Sequence, residues 1–381
     1  MHAYKKIIII FILILTIPNI VQATDEIIES QLEALNLSSF IQEGEKYTKE
    51  SFNNLDIGQV LNSAIKGKID AKTIYSSVLK ILGDEITSSI TIIGGILAII
   101  VIHAILKNIG ENIGNNSISQ IAYYVEYILI VTLIMKSFLT VIDMVKDAIV
   151  NLVSYINILI PLLLALVVTS GTAVTASAVQ PVILWLIVLL GNGITMYILP
   201  ILLISTVLGI VSNLSDKIQI GKLSKMLKSS IVWVMGFVLT LFVSFLSLEG
   251  TLTSGVDGLT LKGLKSASST FIPVVGKALS DSVDTVLGAT AVIKNAVGIV
   301  GIIVVLGICV VPIIKLIVLN ILYNLSAAIA EPLADKKIIN VMEQIADTFK
   351  VLLAIMFSIS ALLIVGIAII LKISNTGLMM G

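Results

Sequence analysis

The residues of this chain best placed to do chemistry lie between Lys277 and Lys294. Read as a helix, Lys277, Asp281, Asp284 and Gly288 follow at steps of four, three and four, so they share one face. Carboxylates at i and i+3 can serve acid–base work or bind a cation. No base or nucleophile accompanies Asp281 and Asp284, so the pair reads instead as a docking face for a partner. Val275, Leu279, Val286, Thr290, Ile293 and Val297 make a mostly apolar stripe on another face. Pro273 suits a first helical turn, with capping hydroxyls at Ser268, Ser269 and Thr270 before it. The segment 268–295 thus reads as an amphipathic helix on a membrane surface or docked on a membrane bundle. An ordinary loop helix between two spans would show the same pattern.

Other charged positions interrupt apolar runs. Lys315 follows Pro312 inside one of them. It either snorkels to the interface, or lines a polar path or grips a neighbouring subunit. Lys136 is similarly deep, whereas Glu126, beside Tyr123, Tyr124 and Tyr127, reads as an interfacial anchor. Lys294, Glu331, Asp335 and Lys336 complete the set of partner-docking or path-lining candidates. Metal chemistry has little to work with. His103 stands alone in an apolar run, the other histidine is in the leader, and Cys309 is the sole cysteine. HExxH, GxSxG and P-loop patterns are missing, so no catalytic residue and no cofactor is expected.

The elements that must position these groups are apolar helices. Lys5 and Lys6 precede the apolar run Ile7–Ile17, and Val21-Gln22-Ala23 resembles a cleavage site, so residues 1–23 read as a signal peptide. An uncleaved anchor is the alternative, and both put the following residues outside the cytoplasm. Residues 24–88 read as a small extracytoplasmic region of short amphipathic helices, with 11 acids and 6 lysines over 24–89. It is too small for a robust core of its own and should pack on the membrane domain or a partner. From residue 89 to 381 the chain reads as a polytopic membrane domain. Candidate spans cover about 89–106, 121–142, 152–169, 182–211, 231–248, 296–320 and 350–372.

Seven spans put the lysine-rich loop 212–230 outside, against the positive-inside tendency. A broken element between 152 and 211 restores the parity. It places 249–295 outside and Lys336, Lys337 and Lys350 inside. Gly191-Asn192-Gly193 and Pro200 are the expected breakers. The small-residue run Ser170–Pro181 suits either close helix packing or a re-entrant turn lining a passage.

Composition agrees with the membrane reading. Of 381 residues, 57% are hydrophobic and 13% charged, which is too apolar for a soluble exterior. The fold class is therefore all-α, with about six to eight transmembrane helices. All basic residues are lysines, so no guanidinium fork is available to clamp phosphate or carboxylate. No basic tract suits nucleic acid.

Three blocks carry a resemblance: FIPVVGKALSDSVDTVLGATAVIKNAVG (Phe271–Gly298), EPLADKKI (Glu331–Ile338) and SGTAVTASAVQP (Ser170–Pro181). Together they resemble the stage III sporulation protein AE family of endospore-forming bacteria. Ala334 and Lys337 stand where family members usually carry Gly and Arg. The resemblance implies a non-enzymatic subunit of a multi-subunit complex in the mother-cell membrane around the forespore. That complex forms a channel or feeding apparatus needed for late forespore development. Implied partners are the other membrane subunits, with a homo-oligomer inside the complex left open. The alternative from the residues alone is an autonomous secondary transporter for a small solute, suited to broken helices and buried lysines.

Overall fold

The computed structural model describes residues 37–49, 51–52, 55–68, 71–113, 116–169, 173–214, 220–252 and 273–379. The expected signal peptide and the helix expected around Ile28–Leu35 lie outside them. The described elements are all helical. Helix α1 is Ser38–Thr48, α2 Ile57–Ile65, α3 Ala71–Ile113, α4 Asn116–Thr169 and α5 Ala173–Gly193. A π-helical turn, Ile194–Ile198, joins α5 to α6, Leu199–Leu214. Then come α7, Gly221–Leu252, α8, Pro273–Ala330, and α9, Lys336–Met379.

Local signals account for the short helices. The Asp56 side chain accepts from the Gln59 N–H at 2.9 Å and caps α2. Gly67, at φ 67°, closes the other end: Gly67 N donates to Ala64 O and Lys68 N to Ser63 O. The long helices have another cause. Their β-branched Ile and Val residues favour helices only weakly in water, but in hydrocarbon every backbone group must find its partner within the segment.

Among the described residues, six helical stretches are long and apolar enough to cross a membrane: Ile74–Ile102, Tyr127–Thr169, Leu184–Asn213, Gly221–Ser244, Thr285–Ala330 and Lys336–Leu371. The count differs from the seven expected because 121–142 and 152–169 belong to one helix, α4. The intervening residues, Asp143 to Asn151, include charges but no Gly or Pro, and charge does not break a helix. Six spans restore the parity without a broken element. The expected break at Gly191–Gly193 is a π-helical turn instead, with the Thr195 hydroxyl donating to Gly191 O at 2.9 Å. From Ala173 onward the small-residue run is ordinary helix, not a re-entrant turn. Residue 88, expected as a domain boundary, falls inside α3, which runs on unbroken to Ile113.

At the centre α8 and α9 pack antiparallel. Lys294 meets the Leu371 carbonyl, Cys309 meets Ser360, and Asn320 meets the Ala346 carbonyl, stepping down one helix and up the other. Helix α4 completes this inner trio: Leu159 crosses Gly301, and Phe138 lies 6.3 Å from Phe349, centroid to centroid. Helices α3, α5, α6 and α7 surround it.

Candidate functional site

The charged candidates are strung along α8 rather than gathered. Pro273 opens the helix as expected, but Lys277, Asp281 and Asp284 are no separate surface helix. They occupy the first turns of a 58-residue helix that continues into the apolar bundle. No breaker separates the amphipathic pattern from the span, so the backbone runs through. These three side chains lie outside the described residues. Gly288, on the same face, is half-buried.

Lys294 is fully buried and donates to the Leu371 carbonyl at 3.0 Å. It ties α8 to α9 near the end of the α9 span. Lys315, about 30 Å further along α8 at 1.5 Å per residue, neither snorkels nor stands open. Its Nζ lies 3.3 Å from Glu85 Oε2 on α3, with the side chains 24% and 15% exposed. The alignment is ionic rather than hydrogen-bonded, since that oxygen makes no hydrogen bond. Glu85 falls within 24–88, expected as the extracytoplasmic region, so the sequence pattern does not mark it as the partner of Lys315. A carboxylate flanked by helical apolar spacing is the signal that could have found it.

Glu331 and Asp335 lie in the turn between α8 and α9, and Lys336 opens α9. The Leu333 and Ala334 amides donate to Ala330 O, and the Ile338 amide donates to Asp335 O, which starts α9. Glu331 and Lys336 are exposed, and Asp335 is half-buried. Asp335 suits a helix N-terminus, whose partial positive charge favours a carboxylate. Cys309 is buried and free, with the Ser360 hydroxyl donating to its sulfur at 2.9 Å. Glu126 and His103 have side chains outside the described residues.

The structure gathers a polar cluster that went unread in the sequence. On α6, Ser205, Gly209 and Asn213 share a face, on α7 Ser224 and Lys228, and on α9 Gln344 and Thr348. The Ser205 and Ser224 hydroxyls exchange bonds with each other's carbonyl at 2.7 Å. Asn213 donates to Gln344 Oε1 at 3.1 Å, and Lys228 to Gln344 O at 3.0 Å. Gly209 gives Gln344 its room, since a Cβ there would lie 1.2 Å from Nε2. Polar atoms within apolar helices must pair with each other, which fixes the register of α6, α7 and α9. The cluster also puts the lysine-rich starts of α7 and α9 at one end of the bundle.

The two flanks of the bundle differ. Near its midpoint α8 receives α1 and α2: Gly44 abuts Val304, Thr48 and Phe52 abut Gly307, and the Ser51 hydroxyl donates to Gly307 O. Phe40 and Tyr47 of α1 pack on Tyr155 of α4, with ring centroids 6.1 and 6.2 Å apart. The apolar faces of α1 and α2 turn inward, while Gln42, Glu45, Lys46, Gln59 and Asn62 stay exposed. Lys46 bridges to Glu43 at 3.1 Å, and this hydrogen bond raises its pKa. At comparable depth the other flank is apolar. Met196 and Tyr197 are each 67% exposed, and Trp233, 70% exposed, stacks on Phe237.

The family described as stage III sporulation protein AE matches residues 55–374. Stage III sporulation protein AE of Bacillus subtilis (strain 168) is 30% identical over 296 residues, 78% of this chain and 74% of the relative. No solved structure matches. With six membrane-length helices among the described residues and this match along most of its length, the chain is a multi-pass membrane protein of sporulation and belongs to the stage III sporulation protein AE family.

Proposed function

We propose that this chain is a non-enzymatic subunit of a channel or feeding complex in the mother-cell membrane around the forespore. The observation that carries the reading is the unequal pair of flanks. Trp233 and Phe237 require lipid or apolar protein beside them, whereas the outer faces of α1 and α2, at similar depth, require water or protein. A solitary bundle in lipid would meet the first need and violate the second. A subunit with neighbours meets both.

The positive-inside tendency supports a cytoplasmic position for the end carrying Lys222, Lys225, Lys336 and Lys337. The start of α8 then faces the other side, where Lys277, Asp281 and Asp284 serve to dock a partner. Residues 24–88 would follow a signal peptide, and their helices α1 and α2 would enter the bundle from outside the cytoplasm.

Affinity capture of the tagged chain from sporulating cells tests the assignment. Other membrane subunits are expected in stoichiometric yield. The double variant Asp281→Ala/Asp284→Ala should lower spore yield at least tenfold while the chain remains in the membrane fraction. Capture of the chain alone, together with solute uptake by liposomes holding only this chain, would favour an autonomous transporter and end the subunit reading.

A further inference from the structure

Helix α4 carries the polar flank further. Lys136, Thr140, Asp143, Asp147, Val150 and Asn157 are exposed, with Ser154 half-exposed between the last two. From Lys136 to Asn157 the steps alternate between four and three residues, so these positions form one continuous stripe. The opposite face, with Phe138, Val145, Leu152, Tyr155 and Leu159, is buried in the bundle. The stripe is polar at every position but Val150, although it lies on a helix of membrane-spanning length and apolarity.

Packing partners fix its depth. Phe138 lies against Phe349, and Leu159 against Gly301. On α9, Ser360 is about 16 Å beyond Phe349 at 1.5 Å per residue, and it is level with Cys309. Helix α4 rises in the same direction, so Asp147 and Val150 reach that level too. On α7 the same level is marked just below Phe242, which packs at Gly366, and so includes the exposed Phe237. One depth of the bundle therefore shows a carboxylate on α4 and a phenyl ring on α7. Any bilayer that covers Phe237 would also cover Asp147 if lipid surrounded the chain evenly.

We propose that the α4 stripe and the outer faces of α1 and α2 are the wall of a water-filled passage through the bilayer, closed on its far side by other protein. Exposed groups on this stretch of α4 are two of each sign, Lys136 and Lys146 with Asp143 and Asp147, so the wall discriminates little by charge. It fits hydrated ions and small polar solutes rather than lipid or an acyl chain. The proposal rests on the channel-subunit reading and adds which surface meets the water.

Cysteine accessibility tests it directly, because Cys309, the sole cysteine, is 1% exposed and should stay silent. Single variants Asp147→Cys, Val150→Cys, Ser154→Cys and Asn157→Cys are compared with Leu152→Cys and Ile156→Cys on the buried face and Phe237→Cys on α7. The complete complex is probed in membranes of sporulating cells, opened by freeze–thaw so that reagent reaches both sides. A charged, membrane-impermeant maleimide should label the stripe positions at least tenfold faster than the other three. A lipophilic maleimide should reverse the order for Phe237→Cys. A silent stripe means lipid or protein covers it and overturns the passage, as does equal labelling of both α4 faces. Val150→Cys and Ser154→Cys change side-chain volume little, so folding is retained in at least these two. Capture of partner subunits from the same membranes separates the outcomes: partners recovered with a silent stripe sink the wall and leave the subunit reading standing.

Discussion

Helices α8 and α7 are built from the same aliphatic residue types, yet α8 buries 61% of its most apolar stretch inside the chain and α7 only 22%. Apolarity cannot distinguish them, because lipid accepts an isoleucine as readily as a protein core does. The difference lies in small residues and in polar atoms that need partners. On α8 a Cβ at Gly301 would lie 2.6 Å from Leu159, and one at Gly298 2.5 Å from Leu371. Polar links at Lys294, Cys309 and Asn320 reach α9 from the same helix. On α7, Gly236 has nothing within 4 Å of its would-be Cβ. The polar links of α7 gather in its first turns, at Ser224 and Lys228.

The strongest way to break this contrast is Gly301→Leu. The added side chain must displace Leu159 and part α8 from α4, and overpacking of a fitted core costs about 3 kcal/mol. Thermal unfolding of the purified chain in detergent should show the loss as a lower midpoint and a smaller folded yield. An unchanged midpoint would mean that α4 and α8 are not closely packed, and the inner trio would dissolve as a unit.

A smaller effect belongs to the ion pair between the inner and outer sets. Lys315→Ala leaves Glu85 part-buried without its cation, and the loss should be about 2 kcal/mol, below the cost for fully buried pairs because both groups keep some solvent contact. Glu85→Gln with Lys315→Ala removes both charges and should cost less than Glu85→Gln and Lys315→Ala taken singly and added. The double-mutant cycle measures this coupling, expected near 1 kcal/mol. Strict additivity would show that α3 is held to α8 by packing alone.

These pairs also show what could be read from the sequence. Helix-forming stretches were legible because an apolar run of membrane length leaves the backbone no other way to satisfy itself. The start at Pro273 was legible because its signal is local; the short turn after Ala330 was not, since the whole stretch 321–349 lay between two expected spans. The join of 121–142 to 152–169 was not, since charged residues at Asp143–Asp147 look like a loop in a one-dimensional profile. In three dimensions they are one exposed edge of a continuous helix. Lys315 was recognised as costly, but its partner stands 230 positions away, and no local pattern links them. The polar cluster of α6, α7 and α9 was hidden for the same reason: Ser205, Ser224 and Gln344 are each unremarkable until packing brings them together.

The mildest change sharpens the comparison most. Gly236→Leu on α7 adds a large side chain where the isolated chain has open space. In detergent its stability should stay within about 0.5 kcal/mol of the parent, as for a surface site. A glycine midway along an apolar, uncovered helix face is nevertheless what close helix contact between subunits uses. If α7 faces only lipid, the variant should sporulate normally. If α7 meets a neighbouring subunit at Gly236, spore yield should fall while the purified variant unfolds as the parent does. That split between an intact chain and a failed assembly would move α7 from the lipid boundary to the interior of the complex. The polar flank on α4 would then be one of two surfaces closed by other protein.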